Sequence, residues 1–433
     1  MGPGRDGARA GRAVSGKMLP PMTTALVPSR ARAARLAVSV LFFANGALAA
    51  SILPRLPAIK EALGLSNAEL GAAVAAMPMG GLLAGGLVGL LIARFGSARV
   101  AAVAGTLCCL LLAVVGLAPS WIALASAYFV LGMFDATMDA SMNTHGLEVQ
   151  ALYGRSILQG LHATWSMGGM AGGAVGAVAA AVGLPVAIHL AVVAVILAAI
   201  VACSSRSLLP RLRAGEPSPS AEPVAPEAES IHLRNAGRLL RVLVPIAMLG
   251  ILCVVVQTAA ATWSAVYVTD VLKGSAGVAA AAFVVYIAAM TVGRLTNDRW
   301  VDRLGPALLV RIGAVIAAAG LVAAIAAGPL GLTPLAFAGF AAVGYGSSPM
   351  FPVMVLAAGS RPGIPAGYGV ALVSWMVRIG LVLAPAIVGV AADAAGLGAA
   401  FGIPLATAVV IVFAAPAMTG TRLRPIAAGA AAR

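Results

Sequence analysis

Charge is what this 433-residue chain has least of. Lys and Arg number 28 and Asp and Glu 14, so charged residues are 10% of the sequence and apolar ones 61%, against about 25% charged in an ordinary soluble domain. With a mean hydropathy of +1.01, that shortage excludes a water-soluble globular protein and implies a polytopic membrane protein. Cysteine is scarce as well. Cys108, Cys109, Cys203 and Cys253 all fall in apolar runs without metal-ligand spacing, so they are expected to be reduced packing thiols. Missing altogether are His-Glu-x-x-His, a Gly-x-Ser-x-Gly in a workable context, a glycine-rich phosphate loop and a Walker motif. No enzyme, metal, cofactor or ATP drive is expected. No cleavable signal peptide is expected either: the first 35 residues are basic and rich in Gly, Ala and Pro, and the first apolar run is long enough to stay as a helix.

What is present is a succession of windows of about 20 apolar residues, the length that spans a hydrocarbon core. They predict twelve helices near 36–54, 69–92, 100–117, 121–147, 156–182, 185–203, 239–267, 276–297, 307–327, 333–357, 366–392 and 397–418. The net charge of +14 is a topology signal and not a nucleic-acid footprint. With both termini cytoplasmic, the outer loops hold only Arg55, Lys60 and Lys273, and Arg378 lies within a helix. Every other basic residue, Arg294 among them, falls in cytoplasmic segments, as the positive-inside rule requires. Residues 204–238 turn to Pro, Ser, Glu and Arg with no apolar periodicity, the composition of a linker. The chain therefore divides into a basic tail (1–35), a bundle (36–203), the cytoplasmic linker, a second bundle (239–418) and a short tail (419–433).

Against this apolar background, two carboxylates stand out. Asp135 and Asp139 lie inside the run that starts near Trp121 and does not reach interfacial polarity until about Glu148; the other acids of the chain sit at helix ends or in loops. On a helix, Asp135, Asp139 and Asn143 stack at i, i+4 and i+8. An ionisable group at bilayer depth costs several kcal/mol and ordinarily faces a bundle interior or a water-filled path. Either the pair carries function, or it caps and bonds neighbouring helices.

Polar side chains elsewhere collect on the first, fourth, fifth, seventh, tenth and eleventh spans: Asn45, His162, Trp165, Gln257, Trp263, Tyr345, Ser347, Trp375 and Arg378. The third, sixth, ninth and twelfth spans are almost featureless and read as lipid-facing. Asn45 serves a cavity or an interhelical hydrogen bond. Counting about 1.5 Å per residue, His162 lies level with Asn143 and Trp165 with Asp139. The histidine either packs or shares a proton with the aspartate. Arg378 must be paired or hydrated, so it neutralises Asp135 or binds an anionic group of a solute. Trp263 and Trp375 stack on a ring of the solute or simply pack.

After the second span, Gly89, Arg94, Gly96 and Arg99 resemble the loop of the major facilitator superfamily, Gly-x-x-x-Asp-Arg-x-Gly-Arg-Arg, with Ala93 and Ser97 as departures. A diverged copy returns half a chain later in Asp302, Arg303 and Gly305, followed by Arg311. Two copies, each after an even-numbered span, imply an all-α membrane fold of twelve helices in two pseudo-symmetric six-helix bundles. Within that superfamily, Asp139 and Asn143 resemble the acid and amide of the fourth helix in sugar-proton symporters of the fucose permease type. The resemblance implies a proton-coupled transporter of a small polar solute, a sugar or related metabolite, working as a monomer in the cell membrane. Asp139 would carry the proton, helped by Asp135 and His162; Asn45, Asn143, Trp165, Gln257, Trp263, Tyr345, Trp375 and Arg378 would line the solute path. Glu148 and Arg155, with Arg94 or Arg99 in reach, would form a gate contact broken in one conformation, or a permanently solvated pair. Proton-antiport efflux is the rival, weakened because the glycine-rich stretch from Ser166 to Ala180 lacks the proline of the efflux signature. A non-transporting sensor of the same fold is the other alternative.

Overall fold

The computed structural model describes residues 29–153, 157–209, 236–359 and 366–415, and there the chain is helical with short connectors. A backbone crossing hydrocarbon must satisfy its own N–H and C=O groups, which a helix does within one segment. The first half holds α1 (Ser29–Ile52), α2 (Leu56–Leu63), α3 (Asn67–Phe95), α4 (Ser97–Gly116), α5 (Trp121–Tyr153), α6 (Leu158–Ala181) and α7 (Val186–Ser205). The second holds α8 (Ala236–Asp270), α9 (Ala276–Leu304), α10 (Pro306–Leu330), α11 (Thr333–Ser347), α12 (Met350–Gly359), α13 (Ala366–Ala395), α14 (Leu397–Ala400) and α15 (Gly402–Ala414). Among the described residues, 10 helical stretches are long and apolar enough to cross a membrane. Two further crossings complete the halves: α6, whose glycines dilute its hydropathy, and the interrupted pair α11 and α12.

Several boundaries differ from the sequence expectation. Helix α1 begins at Ser29, and Pro54 and Pro57 do not stop the winding. A 3-10 turn, Leu53–Arg55, leads straight into α2, with Pro57 in its first turn, where a missing N–H costs nothing. The span expected at 333–357 is instead broken between Ser347 and Met350. Pro349 and Pro352 remove the donors that Tyr345 and Ser348 carbonyls would have met. The Ser348 hydroxyl takes up one of them, donating to the Tyr345 carbonyl at 2.7 Å.

The halves repeat one packing scheme. In the first, α1 packs on α6, α3 on α5 and α4 on α7; in the second, α8 packs on α13, α9 on α11 and α10 on α15. The two loop motifs also fold alike. Gly96 (φ 85°, ψ 150°) ends α3 and starts α4, and Gly305 (φ 77°, ψ 160°) does the same between α9 and α10. A side chain there would collide with its own backbone, so the glycine of the repeated motif is what permits the one-residue corner.

Close helix crossings position the interior. A Cβ built on Gly46 would stand 2.1 Å from the Trp165 carbonyl oxygen, and one on Gly172 would stand 2.2 Å from that of Ala47. Glycines thus bring the α1 and α6 backbones together and place Asn45 beside Trp165. The halves themselves meet where α3 crosses α13 and α6 crosses α9. At one end they are bolted: Lys60 of α2 pairs with Asp270 of α8, and the Asp393 carboxylate accepts the first free N–H groups of α3, Asn67 at 2.9 Å and Ala68 at 2.8 Å. Past Gly81, where a Cβ would meet Arg378, Gly85, Gly86 and Gly89 have open space in place of a neighbouring helix.

Candidate functional site

Helix α5 presents Asp135, Asp139 and Asn143 one above another, each half-buried. Their partners are amides. Asn45, buried on α1, donates from Nδ2 to Asp135 Oδ1 at 2.7 Å and accepts at Oδ1 from the Trp165 indole N–H at 2.8 Å. One side chain thereby ties α1, α5 and α6 together. Asn143 reaches back along its own helix, its Nδ2 lying 3.1 Å from Asp139 Oδ1 and 2.8 Å from the Asp139 carbonyl. Neither carboxylate has an ion pair within 4 Å among the described residues, where the two pairs are Lys60 with Asp270 and His145 with Glu148.

Charge acts on the carboxylates from further off. Arg378 projects from α13 into the notch left by Gly81, where a Cβ would sit 3.3 Å from the guanidinium and 3.3 Å from Ala136 Cβ. Both Asp135 and Asp139 lie in its field, and Asp139 also feels His162. The His162 ring is exposed and stands edge-on to Phe42 with centroids 5.2 Å apart. This arrangement can hold a proton on α5 in competition with the Arg378 charge, without locking the acids into a permanent salt bridge.

The second half contributes a knitted break. Gln257 of α8 donates to the Ser347 carbonyl at 2.7 Å, and Tyr286 of α9 donates to the Gln257 carbonyl at 3.0 Å. Asn297 holds the Ser348 hydroxyl at 3.0 Å. Tyr345 is half-buried. Trp263, by contrast, is 0% exposed in the hydrophobic core, so in this conformation it packs and lines no path. The side chains of Trp375 and Asp302, and the whole of Arg155, lie outside the described residues.

At the far end of α5, Glu148 is engaged within its own half. It accepts from the Ser97 hydroxyl at 2.7 Å and meets His145 Nδ1 at 3.1 Å, while the Leu209 N–H reaches His145 Nε2 at 3.2 Å. Ser97 stands where the loop motif has its first basic residue after the glycine, and a hydroxyl now satisfies the glutamate. Arg94 lies over Phe95 and Arg303 over Trp300, at 5.5 Å and 6.0 Å from the ring centroids, while Arg99 is exposed.

Arg294 is the residue that sequence reasoning misplaced. It lies within the apolar stretch Ala276–Asn297, the range already expected as a span, and it points inward: its guanidinium carbon lies 5.8 Å from the Trp165 ring centroid. The signal was available: the apolar pattern of α9 continues past Arg294 through Leu295. It was masked by Arg299 and Arg303 close behind.

With this geometry in hand, the chain can be set beside known proteins. The model of the Major Facilitator Superfamily matches residues 38–368. A protein of Yersinia pestis described as an uncharacterized MFS-type transporter is 28% identical over 364 residues, spanning 83% of this chain and 89% of that protein. The nucleoside transporter NupG overlays with a TM-score of 0.71 at 17% identity, covering 89% of this chain and 98% of that one. The E. coli fucose:proton symporter FucP overlays with a TM-score of 0.56 at 17% identity, with coverage of 89% and 98%. At those identities the overlays establish a shared fold.

Proposed function

Because the chain belongs to the major facilitator superfamily, and is therefore a transporter built from two six-helix halves and not an enzyme, we propose that it moves a small polar solute together with a proton by alternating access. The observation that carries this reading is the pair of α5 carboxylates, half-buried between the halves, bonded to amides and, among the described residues, held by no ion pair. A carboxylate in such a place changes its proton affinity as the cavity hydrates and dries, because a low dielectric penalises its charged form. Asp139, nearest to His162 in its electrostatics, is the carrier, and Asp135 is the second site. Asn45, Asn143, Trp165, Gln257, Tyr345 and Arg378 line the solute path. The protein works as a monomer in the cell membrane with both termini cytoplasmic, which makes the Lys60–Asp270 and Asp393 contacts an outer gate in its closed state. The bolted end and the open space beside Gly85, Gly86 and Gly89 support an inward-facing conformer.

Proteoliposomes loaded with a pH-sensitive dye test the reading. When sugars, nucleosides and small acids are offered outside, at least one solute should drive proton entry. Proton exit in response to an outward solute gradient would support antiport instead, and a solute that binds with no flux of either kind would support a sensor.

A further inference from the structure

Two arginines of the second half stand at membrane depth, and their surroundings differ. Arg378 has Asp135 and Asp139 in its field, so its charge is answered within the protein. Arg294 has no such answer. Among the described residues, the groups acting on it include a phenol, Tyr286, and no carboxylate, and its Nε is buried there without an acceptor. A cation at this depth is paired or hydrated; of its nitrogens only Nε is buried without a partner, so the terminal nitrogens are open to water or to a solute that displaces it.

The geometry around Arg294 is that of a half-built clamp. Its guanidinium lies against the Trp165 ring, across the junction of α9 with α6. The indole cannot swing away, because its N–H is held by Asn45, itself fixed on Asp135. A cation–π contact at this distance takes up none of the guanidinium N–H donors, which stay available to a planar or tetrahedral oxyanion. Carboxylate and phosphate match that fork with two parallel hydrogen bonds. His162, one turn from Trp165 on α6, lies in the same field.

We propose that Arg294 and Trp165 form an anion-recognising clamp between the two halves, and that the transported solute carries a carboxylate or phosphate group. This rests on the transport reading above and narrows its substrate class. It also gives the α5 acids a reason to take up a proton: an anion entering beside them is tolerated once one of them is neutral. The clamp joins α6 to α9, so an occupied site would hold the halves together at that crossing.

The test uses the full chain in nanodiscs, titrated calorimetrically at constant ionic strength with gluconate, glucuronate, glycerate and glucose 6-phosphate, with glucose and glycerol as neutral counterparts. At least one anion should bind about tenfold or more tightly than its neutral counterpart, and Arg294→Gln should remove about that factor. Arg294→Lys, which keeps the charge and loses the fork, should retain part of the binding and shows that the loss is not misfolding. A carboxylate and a phosphate compound of like size separate the two oxyanions. The clamp is overturned if no anion binds, if glucose binds as tightly as the acids, or if Arg294→Gln holds an acid like the parent. Proton entry driven by a neutral sugar would leave the transport reading standing and overturn the clamp. Arg294-dependent binding of an acid without proton movement would support the clamp and remove the coupling.

Discussion

Asn45 shows how much one amide can organise. Its donor goes to Asp135 and its acceptor to the Trp165 indole, and an amide offers the two on separate atoms, so both partners are served at once. Asn45→Leu leaves a carboxylate and an indole N–H unpaired in the interior, at a cost of about 1–3 kcal/mol for each orphaned group. Thermal unfolding in detergent should show the parent clearly more stable, with Trp165→Phe, which removes one arm only, in between; equal melting of all three would contradict the bridge. The stacking of Asp135, Asp139 and Asn143 was legible in the sequence because it is a helical period within one segment. Asn45 could be singled out as polar at mid-span, but its two partners lie 90 and 120 residues away, and no periodicity encodes that pairing. Arg294 was hidden for another reason: charge near the end of an apolar run looks the same whether it faces water or an interior.

At the scale of the element, glycines decide which helices touch. A Cβ on Gly46 would be driven into the Trp165 backbone, where nothing flexible can give way, whereas one on Gly85 would meet nothing within 4 Å. Gly46→Ala should therefore push α1 off α6 and destabilise by about 1–3 kcal/mol. Gly85→Ala should be neutral or stabilising by up to about 1 kcal/mol, the helix-propensity gain. Melting temperatures of the two variants against the parent check the contrast, and an equal loss in both would contradict the assigned crossing. Proline was informative in sequence only in part. Pro54 and Pro57 looked like a stop, yet Pro57 at a helix start leaves the winding intact. Pro349 and Pro352 do divide a span, because there the freed Tyr345 carbonyl finds the Ser348 hydroxyl as a donor and Gln257 holds the neighbouring Ser347 carbonyl.

On the scale of the whole molecule, the duplicated loop motif made the two-bundle architecture legible, and the matching corners at Gly96 and Gly305 are its structural trace. The closed end was not legible, since Lys60 and Asp270 stand 210 residues apart in different halves. That pair is partly exposed, with side chains 17% and 35% accessible, so it is worth about 1 kcal/mol at most. Lys60→Gln should shift the balance toward an outward-open state by no more than about fivefold. A cysteine placed at Ala386, behind the seal and in a background without native cysteines, should then react correspondingly faster with an impermeant thiol reagent added outside. An unchanged rate would mean that the Asp393 cap of α3 alone holds the gate.

In the proposed cycle Asp139 carries the proton and is not needed for the halves to rock around a bound solute. Counterflow and proton entry measured side by side in proteoliposomes, for the parent and Asp139→Asn with a solute that the parent transports, separate the two functions. Asp139→Asn should exchange labelled for unlabelled solute at a rate near the parent's while solute-driven proton entry disappears. Proton entry equal to the parent's in Asp139→Asn would contradict that role.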